Sequence, residues 1–263
     1  MAVGVFIVLG GAVAVRTMDS DESTPARIPE VGARFQYQLG DLPVDLSAEA
    51  DVFDIDLFDI DLFDVPSSTV DELHDRGRTV VCYLSDGSFE GVRPDAERFP
   101  DEVVGAPLQG FPDERWLDLR ATDELLPIME DRLDQCAAKG FDGVEFDNVD
   151  AFANDSGFEL TTDDQLAYLM ALSAAARDRD LSPGSEIALA LGPEVVDDFD
   201  RALIEQCFQY DECDQAAPFV DRDKAVFVVE YEVDPADVCD RVTDGLSVVF
   251  KDLDLGSELM MCP

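Results

Sequence analysis

Acidic side chains follow short apolar runs at several points of this chain. The clearest run, residues 140–146, stops in Asp147, Asn148 and Asp150. This pattern is typical of a buried strand that presents carboxylates at its carboxyl end. In a sheet built from βα units, that end is where catalytic loops converge. A solvated acidic loop is the alternative, because acidic residues are abundant throughout the chain.

The other predicted strand ends extend the set of candidate site residues, which are Gln38, Asp61, Tyr83, Asp147, Glu205, Glu230 and Tyr231. Two carboxylates that flank a bond suit glycoside hydrolysis, in which one protonates the leaving oxygen and the other attacks or activates water. Asp147 and Glu205 form the best pair, because each follows an apolar strand and they come from the fourth and sixth strands. Apolar neighbours such as Phe146, Ile204 and Phe208 would keep one of the two acids protonated.

Other chemistries lack the residues they need. His74 is the only histidine and falls in a predicted helix, where we expect a surface role, so a Ser-His-Asp triad is excluded. Neither GxGxxG nor GxxxxGK occurs, and the cysteine spacing does not fit a zinc site. The acidic alternation at 51–64 lacks the Gly and terminal Glu of a calcium loop. We therefore expect no cofactor and no metal.

The apolar runs predict eight strands separated by helices, beginning near Phe35, Ile60, Thr79, Gly143, Glu186, Arg201, Lys224 and Leu246. Helices are predicted around 70–76, 122–139, 162–179 and 235–241. This order predicts an α/β fold, a single (β/α)8 TIM barrel. A doubly wound open sheet is the runner-up, although its glycine-rich phosphate loop is missing.

A five-residue unit, FDIDL, occurs twice within 51–64, from Phe53 and again from Phe58. The odd length of the unit swaps the two faces of a strand, so both copies cannot share one register. We expect the second copy to form the strand and the first to be an extension or loop.

The composition indicates an acidic globular protein. Its 60 Asp and Glu against 18 Lys and Arg give a formal charge of −42, while 46% of the 263 residues are hydrophobic. Acidic excess with few lysines is the halophilic pattern, since molar salt shortens the Debye length to about 3 Å. A nucleic-acid partner is excluded because no basic patch occurs. A cationic substrate is favoured, and we expect a monomer.

Export is predicted from the N-terminus and the cysteines. Residues 1–16 resemble a signal peptide or short membrane anchor, 17–30 an acidic linker, and 31–263 the barrel domain. The only membrane contact expected is through that anchor, and the location is extracellular or the cell surface. Six cysteines allow fifteen pairings. We expect Cys207 or Cys213 to pair locally or with Cys239, and Cys82 and Cys136 to be free thiols.

Seven blocks of the sequence resemble glycoside hydrolase family 114, the endo-α-1,4-polygalactosaminidases, at 37–39, 59–64, 82–90, 116–120, 140–150, 205–213 and 224–231. They occur in the family's order from about Phe35 to Leu253. The resemblance implies a secreted TIM-barrel hydrolase of α-1,4-linked galactosamine polymers, here an acidic member of haloarchaeal type. By analogy with other barrel α-glycosidases, it implies Asp147 as nucleophile and Glu205 as acid/base.

Substrate-binding residues are expected around this pair, namely Gln38, Asp61, Tyr83, Asn148, Asp150, Glu230 and Tyr231. The alternative for Gln38, Asp61 and Tyr83 is that they only fill hydrogen bonds at the barrel mouth. For Trp116 a core position is favoured over a sugar platform.

The chain departs from the family in two places. The family usually carries Lys-Asn after strand five, where this chain has Ala190-Leu191-Gly192, and its usual Trp near the first strand is Phe35. Both departures concern the exact substrate, and neither touches the catalytic pair. Because a fold does not fix a function, a catalytically inactive carbohydrate-binding or cell-surface protein on the same barrel is the alternative function.

Overall fold

Parallel strands dominate the computed structural model, which describes residues 27–40, 43–46, 52–56, 65–186 and 191–262. The strands of this part of the chain are β1 (Phe35–Gln38), β2 (Val52–Asp56), β3 (Thr79–Ser85), β4 (Ser88–Glu90), β5 (Val104–Leu108), β6 (Phe111–Leu117), β7 (Gly143–Asp147), β8 (Ser182–Glu186), β9 (Arg201–Glu205), β10 (Ala225–Glu230), β11 (Leu246–Phe250) and β12 (Met260–Met261).

The helices lie between the parallel strands. They are α1 (Ser67–Asp75), α2 (Thr122–Lys139), α3 (Thr162–Arg177), α4 (Gly192–Val195), α5 (Cys207–Tyr210), α6 (Ala217–Val220) and α7 (Pro235–Val238). At the start of α3, Thr161 and Asp164 form a reciprocal capping box. Helix α2 ends at Gly140, which adopts a left-handed conformation at φ 88°.

Eight strands pair in parallel in the order β1-β2-β3-β7-β8-β9-β10-β11, and β12 adds an antiparallel edge. The sheet curls, so the first and last parallel strands approach each other. Lys251, directly after β11, donates from Nζ to Oε1 of Gln36 in β1 at 2.9 Å. The ladders of the described residues include no pairing of β1 with β11. The α/β class and the curled parallel sheet are thus confirmed.

Alternation along each strand divides the core into two layers. In β3, Val80, Cys82 and Leu84 belong to the outer layer with the helices, whereas Val81 and Tyr83 belong to the layer enclosed by the curl. Successive side chains of a strand point to opposite faces, so only one parity of each strand reaches the interior. This parity decides which strand-end residues can meet at the carboxyl edge.

A buried ion pair fills the interior below that edge. Arg201 Nε lies 3.0 Å from Glu145 Oε2, and the two side chains are 0% and 1% exposed. The guanidinium also donates to the carbonyls of Val144 and Ser182. A Cβ atom at Gly184 would lie 2.5 Å from Arg201 Cζ, so a residue without a side chain is needed there.

A small antiparallel sheet, in the order β4-β6-β5, occupies the long connection between β3 and α2. None of the eight predicted strands begins in this connection. Buried Arg132 of α2 anchors the connection, because its guanidinium binds both carboxylate oxygens of Asp95 and the carbonyl of Ser85.

The prediction for the second strand was wrong in its choice of copy. The first FDIDL copy forms β2, in register with β1 through Val52↔Phe35 and with β3 through Val52↔Thr79. Pairing on both sides fixes this copy as the strand. The second copy, with Asp61, lies outside the described residues.

The prediction for the fifth strand was also wrong. It placed a strand at 186–191, but β8 is Ser182–Glu186, so Glu186 ends the strand instead of starting it. The segment Ser182-Pro183-Gly184 has low β propensity, yet β7 and β9 frame it on both sides. Residues 187–190 lie outside the described part, so the departure expected at Ala190 is not described there.

Three disulfides join Cys82 to Cys136, Cys207 to Cys213 and Cys239 to Cys262. The local Cys207–Cys213 pair is one of the predicted alternatives. The prediction of free thiols at Cys82 and Cys136 was wrong, because α2 packs on β3 and brings their Cα atoms to 6.0 Å. Disulfides persist in oxidising compartments.

Two expectations concern the N-terminal residues. The boundaries at residues 16 and 30 stay predictions, because residues 1–26 lie outside the described part. Within the described ranges, every helix is too short or too polar to cross a bilayer.

The disulfides should differ in what they contribute to stability. Cys82→Ala/Cys136→Ala should lower the free energy of unfolding by about 4 kcal/mol, because the disulfide spans 54 positions of the unfolded chain. Cys207→Ala/Cys213→Ala opens a span of 6 and should cost about 2 kcal/mol. Guanidinium unfolding curves of both variants test this, and a larger loss for the short loop would contradict it.

Candidate active site

A cavity of about 540 Å³ opens at the carboxyl edge of the parallel strands. Strand ends form its floor, β6 of the small sheet forms one wall, and residues 253–255 form part of another. A cavity of about 670 Å³ lies beside Phe89, Phe99 and Arg115, away from the ends of the parallel strands. The carboxyl-edge cavity is therefore the candidate active site.

Asp147 ends β7 and faces this cavity. Its Oδ1 accepts from the backbone N–H of Asn148 at 2.7 Å, and its Oδ2 accepts from Asn148 Nδ2 at 3.2 Å and from the Tyr83 hydroxyl. Asn148 adopts a left-handed conformation at φ 61°, and its amide also donates to Ser85 Oγ at 2.9 Å. These donors fix the orientation of the Asp147 carboxylate.

Gly87 allows the two neighbouring strand exits to approach closely. Its N–H donates to the carbonyl of Asp147 at 3.2 Å, and a Cβ atom at position 87 would lie 1.7 Å from the carbonyl oxygen of Asn148. A side chain at this position would therefore displace the segment that carries Asp147 and Asn148.

Glu205 ends β9 and lines the same cavity. Burial raises the pKa of Glu205 to about 7, the Tyr231 hydroxyl that donates to its Oε1 lowers it, and the charge of Asp147 raises it. The acid consequently stays protonated up to near-neutral pH, as a general acid requires.

Glu186 is a third strand-end carboxyl in the cavity, and the sequence prediction missed it. It ends β8, the strand between β7 and β9, and its carboxyl is hydrogen-bonded to that of Asp147. Burial, followed by the charge of Asp147, raises the pKa of Glu186 well above its ordinary value. The sequence prediction missed Glu186 because it placed this residue at the start of the fifth strand instead of at its end.

The predicted site residues divide into two groups. Tyr83, Asn148, Asp150 and Tyr231 line the cavity with the predicted catalytic pair. Asp150 accepts from Asn154 Nδ2 at 2.8 Å, and burial raises its pKa.

Gln38 and Glu230 are not among the described lining residues. Each alternates with side chains of the enclosed layer, so it lies on the outer face of its strand. Gln38 Oε1 accepts from the N–H of Asp45, and Glu230 Oε1 accepts from the N–H of Phe208 at 2.7 Å. Their substrate-binding role stays a prediction.

Sequence reasoning missed further residues of the cavity. Tyr37 faces it from β1, one position before Gln38. Alternation along the strand groups Tyr37 with Phe35, but only the fold shows that this parity faces the cavity. Trp116 is buried, as expected, yet also lines the cavity. Glu114 accepts from Ser88 Oγ, and burial, together with the charge of Glu90, raises its pKa to about 7.

The single histidine of the chain lies outside this cavity. His74 is half-buried, and its Nε2 is 2.8 Å from Oδ2 of Asp142, which precedes β7 at the opposite end of the sheet. Within the part of the chain that the structure describes, no group of three or more His, Cys, Asp or Glu side chains is arranged to hold a metal ion.

The model of glycoside hydrolase family GH114 matches residues 15–263. The chain belongs to this family. The crystal structure of Aspergillus fumigatus Ega3 in complex with galactosamine has 35% sequence identity and a TM-score of 0.83, over 92% of this chain and 100% of that one. This GH114 protein is accordingly a glycosidase.

A more distant structure shares the fold alone. The glycoside hydrolase domain of PelA from Pseudomonas aeruginosa has 15% identity and a TM-score of 0.64, over 86% of this chain and 96% of that one. None of the curated proteins compared with this GH114 chain matches it.

Gly87→Ala should destabilise this GH114 protein by about 2 to 3 kcal/mol, because the added methyl group overlaps backbone that cannot move without displacing Asn148. Gly91→Ala is the matched control, since a Cβ there meets only the Phe89 ring, at an ordinary contact distance of 3.6 Å. Urea unfolding of both variants measures the difference, and equal stability of the two would contradict the close approach.

Proposed function

We propose that this GH114 glycosidase cleaves α-1,4-linked galactosamine polymers through a retaining mechanism, with Asp147 as nucleophile and Glu205 as acid/base. The observation that carries the proposal is that both carboxyls line one cavity in different environments. Three donor groups hold Asp147, whereas burial keeps Glu205 protonated near neutral pH.

In the first step, Glu205 donates its proton to the glycosidic oxygen while an Asp147 oxygen attacks the anomeric carbon. The bond between that carbon and the leaving oxygen breaks, and a covalent glycosyl ester forms on Asp147. In the second step, the Glu205 carboxylate takes a proton from water, the water oxygen attacks the anomeric carbon, and the Asp147 carboxylate leaves. Tyr231 donates to Oε1 of Glu205, so Oε2 is the oxygen that carries the proton.

The charge of the cavity supports a cationic polymer as substrate. Seven of the described lining residues are acidic, namely Glu90, Glu114, Asp147, Asp150, Glu186, Glu205 and Asp254. Arg93 is the one basic residue among those lining residues, and Glu90 binds it through both carboxylate oxygens. The 35%-identical Ega3, whose structure is a complex with galactosamine, supports an amino sugar.

The proposal also covers the location of the enzyme, the salt concentration around it and the closure of its sheet. We place it outside the cell, which agrees with three disulfides, and in high salt, which agrees with the net charge of −42. We also take the curled sheet to be a closed (β/α)8 barrel. The Lys251–Gln36 hydrogen bond between its first and last parallel strands supports this closure.

Substitution of either proposed catalytic acid should abolish most hydrolysis. Asp147→Asn should lower kcat by about 10³-fold or more, and Glu205→Gln by about 10² to 10⁴-fold. A reducing-end assay on galactosamine polymers in high salt measures this, with exposed Glu212→Gln as the control at wild-type activity. Equal activity in all four proteins would discard the mechanism. Polymer binding without hydrolysis would favour a carbohydrate-binding protein.

The alkaline limb of the pH profile should depend on Tyr231. Glu205 must be protonated in the first step, so kcat/KM should fall as pH rises above about 7. Tyr231→Phe removes a donor that stabilises the charged carboxylate, so the pKa of Glu205 should rise and the limb should move up by at most about one pH unit. Exposed Tyr210→Phe is the control, with no shift expected. A limb that stays in place or moves down in Tyr231→Phe would contradict this assignment.

A further inference from the structure

Three neighbouring strands each deliver a carboxyl to the same cavity. Asp147 ends β7, Glu186 ends β8 and Glu205 ends β9. Strand β8 pairs with both of the others, so Glu186 lies between the two acids that the proposed mechanism uses. The proposed mechanism gives Glu186 no task, although its carboxyl touches that of Asp147.

The contact between Glu186 and Asp147 requires a positive charge or a proton. Two carboxylates in hydrogen-bond contact cannot both be ionised at low cost, because like charges repel strongly in a partly buried site. A proton on Glu186 meets this requirement, in line with the raised pKa of its carboxyl. A cation placed beside Glu186 would remove the need for that proton.

The protein itself supplies no such cation in the described part of the cavity. Arg93 is the one basic lining residue there, and its Nε and Nη2 bind Glu90 at 2.8 and 2.6 Å. The charge that complements Glu186 must therefore come with the ligand.

The chemistry of the proposed substrate puts a cation at this position. A galactosaminyl unit poised for attack has its anomeric carbon at Asp147, and the nitrogen on C2 is two bonds from that carbon. A group in direct contact with the nucleophile therefore lies within reach of the C2 substituent.

We infer that Glu186 binds the C2 ammonium of the galactosaminyl unit that faces Asp147 and so selects free amino sugars over their N-acetylated forms. This inference rests on the proposed function and goes beyond it, because it assigns the amine specificity to one residue. An N-acetyl group carries no charge, so Glu186 would keep its proton. The charge-assisted contact would then be lost.

Binding in a hydrolysis-blocked protein tests this role separately from catalysis. Full-length Glu205→Gln is titrated calorimetrically with an α-1,4-linked galactosamine tetramer and with its fully N-acetylated counterpart. It should prefer the free amine by about 10- to 100-fold in Kd, which is the range of a hydrogen bond to a charged group. Glu205→Gln/Glu186→Gln should lose about tenfold of this preference, and the other acids of the cavity account for what remains.

Proton exchange gives a second readout that a merely structural role would not move. At acidic pH, binding of the galactosamine tetramer should release protons, because the carboxyl of Glu186 ionises beside the ammonium. The N-acetylated tetramer should release almost none, and neither tetramer should release a proton from the Glu186→Gln form. Calorimetry in buffers of different ionisation enthalpy measures this number.

Two further variants test whether the effect is specific to the carboxyl at position 186. Glu186→Asp keeps a carboxyl and should retain part of the preference, while Glu114→Gln removes an acid from the cavity wall and should lower the preference less than Glu186→Gln does. Retained N-acetyl tetramer binding shows that Glu186→Gln still folds.

The inference is overturned if the preference is undiminished or the proton release persists in Glu186→Gln, or if Glu114→Gln lowers the preference by the same factor. It is also overturned if Glu205→Gln shows no preference at all. A wild-type enzyme that fails to hydrolyse the polymer while the preference depends on Glu186 would instead overturn the proposed function alone.

Discussion

The confinement of several carboxyls to one partly buried cavity is the constraint on which the rest of this site depends. Asp147, Glu186 and Glu205 end three adjacent strands, and their charges repel one another across a partly buried cavity. Such a group of acids holds only part of its full charge at neutral pH, so protons must remain on some of them. Burial and the charge of Asp147 raise the pKa of both Glu186 and Glu205, while Tyr83 and Asn148 donate hydrogen bonds to Asp147.

The interior of the curled sheet makes this arrangement possible. Below the carboxyl edge, Arg201 and Glu145 form a fully buried ion pair, and the guanidinium also donates to the carbonyls of Val144 and Ser182. These contacts offset part of the cost of removing the guanidinium from water. Gly184 leaves the space that the guanidinium occupies. Because glycine disfavours strands, β8 has a low intrinsic β propensity. The buried ion pair therefore depends on the glycine in β8.

The walls of the cavity are built on rigid supports rather than on the strand ends alone. The small antiparallel sheet brings Trp116 and Glu114 over the edge, and Arg132 ties the same connection to the end of β3 through Asp95 and the Ser85 carbonyl. The Cys82–Cys136 disulfide joins β3 to α2. A site whose first contacts are held in this way keeps its geometry without substrate, which is what electrostatic preorganisation requires.

The sequence by itself determined the strand-helix order, the acidic character, the family resemblance and the acids at the ends of the fourth and sixth strands, because residue type and local periodicity carry this information. Tertiary structure decided which copy of FDIDL pairs, that the fifth strand ends at Glu186, and that Cys82 bonds Cys136. It also decided that Tyr37 faces inward while Gln38 and Glu230 do not. These outcomes follow from strand register and from contacts between residues distant in sequence, and a one-residue shift of register reverses every side chain, so local pattern alone could not fix them.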